Sequence, residues 1–299
     1  MQNLNKRIVN WSLFVILCLI WGSSFELMKL GMFENHDFSK PVLTPYQVAA
    51  IRMISAGVIM LPFAVKALKE LSKNTLVYIV LSGLFGSFFP AFLFCIAETK
   101  IGGGIAGSLN SLTPLFVILV GVMFFQLIIS TQKIIGVLVG LTGSGVLIYA
   151  NTKGQAINDA IYIFFVIVAT IFYGLNVNMV IKKLTGVPSA QIAAIAFSSL
   201  IIPSLIILCF TGYFALPLAE TKFVVATTAA SVLGILGTAI ASILFYMLMK
   251  RAGGIFASTV TYGIPFVAIA WGVINHEHIT ALHFVGLIII LGGVYLANR

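Results

Sequence analysis

Charge is what this sequence lacks. Only 8% of its 299 residues are Asp, Glu, Lys or Arg, while 60% are hydrophobic; a soluble domain carries about 25% charged residues. Too little charge is present to cover a water-facing surface, so most of the chain must face lipid. Cysteine is scarce as well. Cys18, Cys95 and Cys209 each stand alone in an apolar run, which excludes a disulfide framework or thiolate metal site and leaves them as small packing residues. Of four histidines, none falls in mid-helix to activate a serine. His276, Glu277 and His278 are adjacent but lack HExxH spacing, so they read as an exposed loop rather than a metal centre. Both aspartates, Asp37 and Asp159, fall in loops, and no ATP-binding loop occurs. Intramembrane proteolysis and primary pumping by this chain are therefore not expected. No cleavable leader is expected either, because the first apolar run is long and has no small-residue cleavage site.

What the chain does have is long apolar runs, ten of them, at 11–31, 45–65, 76–97, 102–125, 132–150, 157–180, 189–211, 223–248, 254–274 and 280–297. About 20 apolar residues cross the hydrocarbon as a helix, and lipid tolerates no open backbone groups. The expected fold is an all-α integral membrane protein of ten transmembrane helices. The net charge of +9 does not indicate nucleic acid. With residue 1 in the cytoplasm, eleven basic residues fall inside and only Lys40, Lys100, Lys153 and Lys222 outside. The positive-inside rule then places both termini in the cytoplasm. Glu34, Asp37, Glu98, Asp159, Glu220 and Glu277 fall on the outer side.

The sequence repeats itself. GIAGSLNSLTP at 104–114 is restated as IFASTVTYGIP at 255–265, an offset of 151 that also pairs Gly83 with Gly234, Gly86 with Gly237 and Phe94 with Phe245. Further forward, QVAAIR at 47–52 matches QIAAIA at 191–196, and IWGSSF at 20–25 faces FYGLNV at 172–177. The expected units are residues 1–151 and 152–299, each of five helices. An odd number of spans inverts the second copy, so the halves are related by a pseudo-two-fold axis in the membrane plane. That is the plan of secondary transporters, with a site between the halves near the midplane. Small residues at four-residue spacing, Gly103, Gly107 and Ser111 and again Gly254, Ser258 and Tyr262, allow close helix packing. Pro114 and Pro265 each remove a helix hydrogen bond and are candidate hinges.

Some polar residues have no place in lipid. Thirteen residues separate Arg52 from Lys66, about 20 Å of helix, too short to span, so Arg52 falls inside the second helix. A charge at the bilayer centre costs about 2.5–3.5 kcal/mol, so such a residue faces a wet interior or a partner. Glu26 is the natural partner, either as a structural ion pair or as a substrate- or proton-binding group; Lys29 lies on a similar face. The second copy has Asn178, Ala196 and Ile181 at the positions of Glu26, Arg52 and Lys29. The candidate substrate-binding residues are Trp21, Glu26, Arg52, Asn110, Tyr173, Asn176, Asn178, Thr261 and Tyr262. Aromatic rings with a few amides suit a small amphipathic organic solute better than a bare ion.

WGSSF followed by Lys29, Arg52 early in helix two, prolines in helices four and nine, and the duplicated five-helix unit together resemble the drug/metabolite transporter superfamily, EamA branch. The resemblance covers essentially the whole chain. It implies a central cavity and the export or exchange of amino acids, related metabolites or drugs across the bacterial inner membrane by alternating access. A glutamate often follows helices four and nine in this family; Glu277 matches, whereas the first copy has Gln126. The alternatives are a non-transporting scaffold or receptor, or a carrier of nucleotide sugars or lipid precursors. The expected partners are a small-molecule substrate, the lipid bilayer, and a proton or counter-substrate, with the chain a monomer or weak homodimer. No cofactor, metal or nucleic acid is expected.

Overall fold

A computed structural model describes residues 2–101, 103–152, 160–274 and 280–297. His276, Glu277, His278, Asp159, Lys153 and Arg299 lie outside the described residues. Ten helical segments run in order: α1 (Gln2–Met32), α2 (Pro45–Leu68), α3 (Lys73–Ala97), α4 (Gly103–Phe125), α5 (Thr131–Thr152), α6 (Ala160–Lys183), α7 (Ser189–Phe210), α8 (Thr221–Ala252), α9 (254–274) and α10 (Ala281–Ala297). Among the described residues, nine are long and apolar enough to cross a bilayer, and α10 is a shorter apolar helix. The protein is an all-α membrane protein of two inverted five-helix repeats. Arg7 of α1 and Tyr295 of α10 line one cavity. The end of the bundle that carries them is called the near face, and the opposite end the far face.

Helix starts follow local chemistry. Thr44 and Gln47 form a reciprocal capping box at the start of α2, with Pro45 in the first turn. Ser72 caps α3 by accepting from the Thr75 N–H. The Gln47 side chain then donates to Thr211 O (3.0 Å) at the end of α7, and its repeat mate Gln191 donates to Glu70 Oε2 (2.9 Å) just past the end of α2. One glutamine per copy thus ties the start of its own helix to the end of the other copy's.

The same exchange runs through the core, and it explains which glycines recur. A Cβ at Gly83 would come 3.1 Å from Ala196 O, and one at Gly234 would come 2.4 Å from Arg52 O. Ala196 and Arg52 are the aligned pair. Likewise Gly86 abuts Asn176 and Gly237 abuts Ser24, while Gly103 abuts Phe25 and Lys29 where Gly254 abuts Val177 and Ile181. Each contact is made twice with the copies swapped, as a two-fold axis requires. Two of these glycine pairs frame a second shared feature. Helix α3 widens to a π-helical turn at Leu84–Phe88, and α8 does so at Leu233–Ile240. Such turns are frequent at functional sites.

Helices α4 and α9 are broken rather than bent. In α4 the first half ends at Asn110, and Pro114 stands in the first turn of the second half, Thr113–Phe125. In α9 a short helix Gly254–Ser258 passes into a 3-10 turn, Thr259–Tyr262, and Pro265 stands in the first turn of Ile264–Ile274. Proline is tolerated there because that N–H has no helical partner. Gln126, with φ 52°, ends α4 in the left-handed conformation.

Candidate functional site

A cavity of about 80 Å³ lies at the centre of the bundle. Sixteen of its twenty lining residues form eight repeat pairs: Trp21 with Tyr173, Ser24 with Asn176, Phe25 with Val177, Gly86 with Gly237, Ser87 with Thr238, Phe94 with Phe245, Asn110 with Thr261, and Thr113 with Ile264. The cavity therefore straddles the pseudo-two-fold axis. The four without a mate in the wall are Met28, Arg52, Ser242 and Tyr246, and Arg52 is the one charged residue among the twenty.

Aromatic pairs frame the space symmetrically. Trp21 lies against Phe245 with centroids 5.0 Å apart, and Tyr173 lies against Phe94 at 6.2 Å. The Trp21 indole N–H donates to Gly237 O (3.0 Å), a carbonyl of the α8 π turn. The widened turn thus orients the ring. Arg52 Nε donates to Thr238 Oγ1 (2.6 Å) in the same turn. Ser82 donates to Asn176 Oδ1 (2.6 Å) and lies 3.3 Å from the Tyr246 hydroxyl. Buried polar groups are thereby paired across the repeats, as a low-dielectric interior demands.

Of the nine residues expected to bind substrate, Trp21, Arg52, Asn110, Tyr173, Asn176 and Thr261 line this cavity. The other three lie elsewhere. Tyr262 is fully buried and its hydroxyl donates to Val137 O (3.0 Å) on α5, which makes it a packing residue. Asn178 donates to Val117 O and Gly174 O and lines a second cavity. Glu26 lies outside both cavity walls. Nor does it take Arg52 as partner: Glu26 meets Lys29 Nζ at 3.4 Å and His36 Nδ1 at 3.2 Å. The Glu26–Arg52 ion pair is thus replaced by a cluster on α1 and its following loop. Sequence reasoning also missed Ser24 and Thr238 in the wall; the signal for Thr238 was the repeat itself, since it follows the paired Gly237.

The second cavity is a vestibule of about 820 Å³ at the near face. Val177 lines both cavities. Its charged wall residues are Arg7 and Lys133, both cations. Val177, Asn178, Ile181 and Gly254 all line it. Their repeat mates Phe25, Glu26, Lys29 and Gly103 occupy the matching place toward the far face. There Phe25, Met28, Phe94 and Glu98 are buried, and Glu26 and Lys29 are each 13% exposed. The four near-face residues border the near-face cavity, although Val177 and Asn178 are themselves buried, while their mates belong to a largely buried layer toward the far face.

The profile of the EamA-like transporter family matches residues 10–149 and again 160–299. This chain belongs to the EamA-like transporter family. It is a multi-pass membrane transporter of the drug/metabolite transporter superfamily. An uncharacterized transporter of Archaeoglobus fulgidus is 28% identical over 153 residues, a match spanning 49% of this chain and 51% of that protein. A solved structure described only as a crystal structure of a protein shares the fold with a TM-score of 0.70 at 16% identity. That likeness covers 98% of this EamA-like chain and 96% of the other.

Proposed function

We propose that this EamA-like protein is a secondary transporter, an exporter or exchanger, for small amphipathic organic solutes that carry a carboxylate, amino acids among them. It works by alternating access across the inner membrane with its near face in the cytoplasm. One observation carries the reading: four residues that line the near-face cavity have their repeat mates in a largely buried layer toward the far face, with the central cavity between. Exchange of the two conformations would close the near side and open the far side around one cavity. The cavity supplies the solute chemistry. Trp21, Tyr173, Phe94 and Phe245 offer apolar faces, while Asn110, Asn176 and Thr261 offer polar groups. Arg52 commits one of its five N–H donors to Thr238, which leaves donors for a carboxylate. The cationic vestibule wall favours approach of the same class of solute. Pro114 and Pro265 would let the half-helices of α4 and α9 move separately as hinges.

The test is a thermal-shift screen of amino acids and small organic acids on purified protein, followed by counterflow in proteoliposomes. Carboxylate-bearing solutes should raise the melting midpoint, and Arg52→Lys should fold but bind at least tenfold more weakly, because an ammonium does not replace the planar fork. Undiminished flux in Arg52→Lys would remove Arg52 from the site.

A further inference from the structure

Glu98 caps the end of α3, one residue past the span Lys73–Ala97, where an outer loop was expected. It is instead 1% exposed, and neither carboxylate oxygen has a hydrogen-bond partner among the described residues. A buried carboxylate with no donor is costly when ionised and is retained only where it has a task. The charged groups that face it come from two helices: Lys29 and Glu26 from α1, and Arg52 from α2. On its own helix the buried Cys95 thiol is near both Glu98 and Arg52, and His36 meets the cluster through Glu26. At the second copy's equivalent position stands Met249, also fully buried. The geometry of the fold therefore requires no carboxyl at this place.

We propose that Glu98 is a proton-binding site coupled to solute binding at Arg52. With Glu98 neutral, Lys29, Arg52 and Glu26 sum to one net positive charge, and Arg52 is available to an anionic solute. With Glu98 ionised, the four groups sum to zero, and Glu98 competes for Arg52. A carboxylate solute and a proton thus bind together and cross together. The proton leaves Glu98 for water on whichever side is open, after the solute departs. A solute made inside and exported down its own gradient takes a proton with it. Burial, opposed by Lys29 and Arg52, holds the Glu98 carboxyl well above the usual carboxylate range.

This coupling rests on the transport reading, but its test does not. Infrared titration of purified protein without solute should show a protonated carboxyl band that persists well above the usual carboxylate range in the wild type and is lost in Glu98→Gln. A wild type without such a band, or a band unchanged in Glu98→Gln, overturns the proposal even if transport is demonstrated. In Arg52→Met the band should persist to higher pH, because a neighbouring positive charge is gone; an unmoved titration breaks the link to Arg52. The sign of the stability effect follows. The folded state holds a proton that the unfolded chain releases near pH 4.3. Relative to Glu98→Gln, the folded-to-unfolded ratio of the wild type should fall about tenfold per pH unit above that value until Glu98 itself ionises. Parallel wild-type and Glu98→Gln curves overturn the assignment.

Discussion

Asn176 shows how much one side chain carries here. It is buried on α6, accepts from Ser82, abuts Gly86, and lines the central cavity. Its repeat mate Ser24 spends its hydroxyl on Ile20 O within its own helix. The two halves therefore hold unequal polar groups in equal places. Asn176→Leu would take from the Ser82 hydroxyl its short-range acceptor, leaving it only the longer contact to Tyr246, at a cost of about 1–3 kcal/mol. Tyr246→Phe should cost less, because Ser82 keeps Asn176 at 2.6 Å. Thermal unfolding of the two purified variants should show that order, with the lower midpoint in Asn176→Leu. The reverse order would mean that Tyr246, not Asn176, anchors the network.

Helices α3 and α8 carry the paired π turns, and their glycines set how closely they meet the second helix of the other copy. A methyl group at Gly234 would strike Arg52 O at 2.4 Å, inside any real Cβ contact, whereas one at Gly83 would lie 3.1 Å from Ala196 O. Gly234→Ala should therefore cost about 1–3 kcal/mol through forced backbone shifts, and Gly83→Ala distinctly less, read as midpoint shifts in the same assay. These glycines were legible in the sequence because a symmetric contact needs a small residue in both copies, so the signal appears twice. The axis-straddling cavity was legible for the same reason, and Trp21, Tyr173, Asn110 and Thr261 follow from it. Depth along a helix could be counted from residue spacing; rotation about the helix axis could not. Both Glu26 and Arg52 count to the outer half, yet Glu26 meets Lys29 and His36 while Arg52 donates to Thr238. Tyr262 and Asn178 were lost to the same ambiguity. Glu98 escaped notice because its burial is made by other helices, α1 and α2, and not by its own apolar run. The prolines announced an interruption, but only the backbone reveals complete breaks that leave both prolines in a helix's first turn.

The whole bundle combines a symmetric frame with an asymmetric charge. Glu26, Lys29, Arg52 and Glu98 all belong to the first copy, and their mates Asn178, Ile181, Ala196 and Met249 are neutral. The two closures of the cavity are therefore chemically different. One is an electrostatic layer toward the far face, the other a layer of apolar and amide side chains toward the near face. The charged layer can respond to solute charge and proton activity, while the neutral layer responds to packing alone. Single cysteines distinguish the two layers directly. With Cys209, the exposed native thiol, replaced by serine, Ile181→Cys in the vestibule wall should react with a small membrane-impermeant thiol reagent added from the near side. Lys29→Cys, its repeat mate, should stay protected from the far side. A solute that drives the exchange should reverse the pattern, slowing the first reaction and speeding the second. If both cysteines react at once from their own sides, the passage is open from end to end and the protein is a channel. If neither rate changes when a bound solute raises the melting midpoint, the two copies do not trade conformations, and binding without transport remains the function to explain.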